Sequence, residues 1–87
     1  MKVKDGFILR EVAGNFIVVA VGGAVKNFNA VITLNETGAL LWRALEKGAK
    51  QEDLVKVILD EYDIDETTAK ADVLAFIDKL QGASLLV

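Results

Sequence analysis

The sequence predicts an α+β fold of the winged helix-turn-helix type, a three-stranded antiparallel sheet followed by three helices. Three observations lead there. The apolar period changes once, near Leu34, from a spacing of two to the spacing of a helix. Ahead of that point lie short runs rich in β-branched and aromatic residues, separated by turn signals. Beyond it come three apolar stripes of helical period, two of them preceded by a side chain able to cap a helix.

The first two strands read as a hairpin. Phe7-Ile8-Leu9-Arg10-Glu11-Val12 and Phe16-Ile17-Val18-Val19-Ala20-Val21 flank the turn pair Gly14-Asn15, and Gly22-Gly23 ends the second run. In Phe28-Asn29-Ala30-Val31-Ile32-Thr33-Leu34, the residues Phe28, Ala30, Ile32 and Leu34 alternate, which predicts a third strand completing a meander.

Asn35 can cap the first helix through its side-chain oxygen. Gly38, Leu41, Trp42 and Leu45 then recur at i, i+3, i+4 and i+7, and Gly48 stops a helix over 36–47. A second helix over 51–62 buries Leu54, Val55, Ile58, Leu59 and Tyr62, with Glu52 and Asp53 well placed in its first turn. Its cap is weak, because Lys50 stands where a hydroxyl would serve. Asp65 caps a third helix whose stripe is Ala69, Val73, Phe76, Ile77 and Leu80 and which ends with Lys79 and Gly82.

Composition narrows the function. The 87 residues contain no Cys and no His, which removes disulfides, thiolate and imidazole metal sites, and His-based nucleophile systems. The only serine is Ser84 and the only tyrosine Tyr62, so an independent catalyst is not expected, nor a cofactor. The longest apolar run, Phe16 to Val25, contains two glycines and is far shorter than the roughly 20 residues of a membrane span. With no signal peptide or lipidation box in view, the expectation is a cytoplasmic protein that does not bind membranes. Proline is absent and no linker, repeat or low-complexity stretch interrupts the chain, so residues 1–87 are expected to form one domain.

Charge argues against nucleic acid. Residues 1–34 carry 4 basic against 2 acidic groups, whereas residues 35–87 carry 6 basic against 11 acidic, a helical half that repels phosphate. The sheet is more informative. In a meander the third strand is an edge, and this one, from Asn27 to Leu34, has neither charge nor proline to discourage pairing. Its backbone is a template for an extended peptide, unless the tail Ser84-Leu85-Leu86-Val87 or a second copy of the chain covers it. On the third helix, Ala71, Leu74 and Ala75 form a second apolar stripe. That stripe either packs on the first helix or forms the wall of a groove beside the third strand.

The run Leu34-Asn35-Glu36-Thr37-Gly38-Ala39-Leu40-Leu41-Trp42-Arg43-Ala44-Leu45 resembles the signature of the PqqD family, the pyrroloquinoline quinone biosynthesis protein D group. Asp72-Val73-Leu74-Ala75-Phe76-Ile77-Asp78-Lys79-Leu80 is similar to that family's closing helix, and Asp53-Leu54 and Glu61-Tyr62-Asp63 sit at its second-helix landmarks. Two positions depart from the family pattern: Ala20 where many members have proline, and Lys50 in place of Thr or Ser. The resemblance implies a recognition element that binds the leader segment of a ribosomally made precursor peptide as an added strand. It implies presentation of that precursor to a modifying enzyme, often of the radical S-adenosylmethionine type. Carried over residue by residue, the leader site comprises Phe28, Asn29, Ala30, Val31, Ile32 and Thr33 with Ala71, Leu74, Ala75 and Asp78. Asn35, Thr37 and Trp42 are structural in this reading. The competing readings are a winged-helix DNA-binding or regulatory domain and a homodimer joined through the third strand.

Overall fold

The computed structural model describes residues 1–23 and 32–87. Strands β1 (Phe7–Val12), β2 (Asn15–Ala20) and β3 (Ile32–Leu34) form one antiparallel sheet in the order β1-β2-β3. Helices α1 (Glu36–Lys47), α2 (Gln51–Glu61) and α3 (Glu66–Gly82) follow, so the α+β order is the expected one. Phe28–Val31, the upstream part of the expected third strand, lie outside the described residues.

The hairpin turns one residue earlier than the sequence predicts. Val12 pairs with Asn15, leaving Ala13 and Gly14 as the loop, with φ of 52° and 80°. A two-residue loop with positive φ at both positions matches the right-handed twist of its strands, and that demand recruits Ala13 while Asn15 joins the ladder. Leu9, Val18 and Ile32 then lie side by side across the sheet, as do Phe16 and Leu34. These side chains face the helices, and Val18 and Leu34 are buried.

The helix ends follow from local chemistry. Asn35 Oδ1 accepts from the Gly38 N–H at 2.7 Å, as its position predicts. At α2, Lys50 supplies no acceptor, but Asp53 Oδ2 accepts from the Lys50 N–H at 2.9 Å, which retains half of a capping box. Asp65 Oδ1 accepts from the Thr68 N–H at 2.9 Å and starts α3. The buried residues of α3 are Ala69, Val73, Phe76, Ile77 and Leu80, the stripe read from the sequence. Those of α1 include Gly38, Leu41, Trp42 and Leu45. On α2, Leu54, Val55 and Ile58 are buried, with Leu59 and Tyr62 half-buried against them.

Trp42 is fully buried, and its indole N–H has no acceptor among the described residues. An unmet donor in a core costs about 1–3 kcal/mol, which the burial of so large a ring offsets. No helix among the described residues is long and apolar enough to cross a membrane.

Both chain ends are tied down, and to each other. Val3 bridges Leu86, the Lys4 N–H donates to the Leu85 carbonyl at 2.8 Å, and the Val87 N–H donates to the Lys2 carbonyl at 2.8 Å. Leu85 is fully buried. The tail therefore pairs with the N-terminal segment rather than with β3, which removes one of the two covers considered for that edge.

Two stability measurements check this account. Replacing Ala13 with Gly relieves a left-handed alanine and is expected to raise unfolding free energy by about 0.5–1 kcal/mol in chemical denaturation. Hydrogen bonds from the Thr68 side chain and backbone hold the Asp65 carboxyl below its ordinary pKa. A depressed folded pKa contributes stability above the unfolded value and loses it as pH falls through the folded one. Asp65→Asn, which keeps a capping oxygen, is therefore expected to flatten the decline of thermal midpoint below the ordinary carboxylate range.

Candidate peptide-binding groove

Because β3 ends the sheet order, only one of its sides is occupied by β2. On the other side, α3 runs past it and leaves an open groove of about 490 Å³. The strand side of this groove is Thr33 and Leu34, and its end is the first turns of α1, through Asn35, Thr37, Gly38 and Leu41. Asp72, Ala75, Phe76 and Lys79 form the helix side. These four follow i, i+3, i+4 and i+7, one continuous face of α3.

Gly38 sets how close the walls come. A Cβ there would lie 3.1 Å from Asn35 Oδ1 and 3.3 Å from both Leu34 Cβ and Phe76 Cε1. Only a missing side chain lets Phe76 reach the β3–α1 junction while the Asn35 cap stays formed. At the rim, Lys79 Nζ donates to the Thr33 carbonyl at 3.2 Å, an exposed contact. The lining thus carries one acid, Asp72, and one base, Lys79, amid neutral and apolar surface.

The expected site residues fall into three groups. Thr33 and Ala75 line the groove and are exposed. Ile32 is half-buried and turned under the sheet against the core, while Phe28, Asn29, Ala30 and Val31 lie outside the described residues. Ala71, Leu74 and Asp78 are exposed on α3 but sit beside the groove rather than in its wall. Leu74 remains 46% exposed, so the second apolar stripe does not pack on α1.

Sequence reading passed over Asp72, Phe76 and Lys79 as groove residues, and over the β3–α1 junction. The signal for the first three was present: the set 72, 75, 76 and 79 is the expected set 71, 74, 75 and 78 displaced by one residue, about 100° around the helix. The junction was assigned a capping role, which it has, and it also closes one end of the groove.

Substitution at Gly38 tests this geometry. Helix propensity alone favours alanine there by about 1 kcal/mol, and the three close neighbours oppose it. Gly38→Ala is expected to bring no gain in stability, and Gly38→Val to cost about 1–3 kcal/mol by overpacking, read by chemical denaturation.

Comparison with known proteins gives one family and one fold. The model of the family described as Coenzyme PQQ synthesis protein D (PqqD) matches residues 8–86. Among solved structures, the chain is similar to TbiB1 in complex with the TbiA(beta) leader peptide, at 24% identity and a TM-score of 0.78, covering 99% of this chain and 94% of that one. It is also similar to lasso peptide synthetase B1 complexed with the leader peptide, at 19% identity and a TM-score of 0.75, covering 97% and 93%. No curated protein matches the sequence at a significant level.

Proposed function

Because the chain belongs to the PqqD family, we propose that it is a non-catalytic adaptor that captures the leader of a ribosomally made precursor peptide by strand addition and presents it to a modifying enzyme. The observation that carries this reading is the outer side of β3, exposed at Thr33 and facing α3 across an open groove. An extended peptide laid there would gain register from backbone hydrogen bonds to the strand and selectivity from alternate side chains set against α3. The family match and the two structural relatives, each solved with a leader peptide, support the same occupant.

The leader site in this reading comprises Thr33 of β3 and the α3 face at Ala75 and Phe76, with Phe28, Asn29, Ala30 and Val31 carried over from the family resemblance. Ala71, Leu74 and Asp78 form its outer shoulder. Capture raises the local concentration of the precursor's core at the enzyme without any chemistry by the adaptor itself. The expected enzyme, on the family resemblance, is of the radical S-adenosylmethionine type. The acidic helical half disfavours duplex DNA as a partner.

Titration with a labelled cognate leader peptide is expected to shift the backbone amide resonances of Ile32–Leu34 and of α3 from Asp72 to Lys79. Unmoved amides there would count against the reading. Ala75→Glu, which places a charge in the groove wall, is expected to weaken capture about tenfold or more, and Leu74→Asp on the shoulder distinctly less. An Ile32→Pro change removes a ladder donor and should abolish capture, with a thermal melt to register any loss of fold.

A further inference from the structure

Lys79 holds an unusual post. Its ammonium sits on the Thr33 carbonyl, a backbone acceptor beside the groove that an added strand would pass, and both partners are exposed. It has no acidic partner among the described residues. The ion pair on its own helix is Lys70 with Glu66, and Asp72 lies seven residues back, about 10 Å along the helix axis. Asp78, its sequence neighbour, lies outside the groove wall that Lys79 belongs to.

A cation on an edge strand discourages indiscriminate pairing, because a guest must displace it before its own N–H can reach the carbonyl. Once displaced, the ammonium remains at the groove rim with no anion of its own. Resting on the leader-capture reading above, we propose that Lys79 is a specificity-determining residue that guards the β3 edge in the free protein and selects guests bearing a carboxylate side chain turned toward α3, at the position next to the one opposite Thr33. The occupant is an extended peptide with an Asp or Glu at one fixed position. In the bound state the Thr33 carbonyl accepts from the guest backbone and the Lys79 ammonium pairs with the guest carboxylate. A neutral guest displaces the lysine without giving it a partner. The discrimination expected at such an exposed site is about two- to fivefold in affinity per carboxylate, fading with added salt.

The test is selection of a random-sequence peptide display library against the full chain, its Lys79→Met variant and its Lys79→Glu variant, with selected peptides mapped by amide shifts. Methionine keeps an apolar stem and removes the charge, and thermal melts check that each variant folds. Expected are peptides that perturb Ile32–Leu34 and α3, with Asp or Glu enriched at one register position for the wild-type chain. That enrichment should vanish with Lys79→Met and turn to Lys or Arg with Lys79→Glu. A Glu→Gln change in a selected peptide should weaken wild-type binding about two- to fivefold and leave Lys79→Met binding unchanged. Peptides that add to β3 with no acidic position, or with one that persists in Lys79→Met, would overturn the role of Lys79 and leave strand capture standing. Selected peptides that leave β3 and α3 unperturbed, or no selected peptides at all, would overturn the capture reading and this inference together.

Discussion

The passage from β3 into α1 is the constraint on which the rest of the molecule depends. Within five residues, Leu34 is buried under the sheet, Asn35 closes the first turn of α1, and Gly38 leaves the space into which Phe76 of α3 packs. Each element of that passage needs the others. The cap oxygen and the approaching ring both lie within about 3.3 Å of where a Gly38 side chain would begin, so neither arrangement tolerates a larger residue without moving its neighbour. The junction thereby couples three parts of the chain distant in sequence: the edge strand, the start of the helical cluster and the closing helix. The groove is the space left over when those three are held at that distance.

A small domain has few ways to leave a strand edge open without inviting aggregation. The tail, which has the apolar and β-branched character to cover such an edge, is used elsewhere. It pairs with Lys2–Lys4 and buries Leu85, so the two chain ends stabilise each other at a distance from the groove. At β3 the edge is short among the described residues and its Thr33 carbonyl is occupied by a lysine head group. A mobile ammonium in water is a weak cover, readily displaced by a matching strand and unhelpful to a poorly matched one. This combination separates protection from obstruction, and it suits the strand capture proposed above.

The groove was legible in its parts, and its rotation about α3 was not. The exposed, neutral edge at Thr33 and the helix opposite it were both evident from pattern, and Ala75 lies in the groove wall. On α3 the groove is lined by Asp72, Ala75, Phe76 and Lys79, a face turned by one residue from Ala71, Leu74, Ala75 and Asp78. An apolar criterion favoured the neighbouring face, because Ala71 and Leu74 are apolar whereas Asp72 and Lys79 are charged. Phe76 was assigned wholly to the core, yet a ring at the boundary of core and groove belongs to both. The hairpin erred in the same small way, since a glycine pair-mate was sought at Asn15 while the geometry imposed a positive φ on Ala13.

The sequence by itself determined the elements: their kind, their order and, for the helices, their ends to within about a residue. Periodicity and capping act between residues a few positions apart, so the information is local and complete in one chain. Tertiary structure alone decided which face of α3 fronts the groove, where the tail lies and which carbonyl Lys79 reaches. A helix's rotation about its axis is set by how its buried stripe seats against α2, and that seating depends on side chains far apart in sequence. A turn of one residue leaves every propensity unchanged and exchanges one wall of the groove for another.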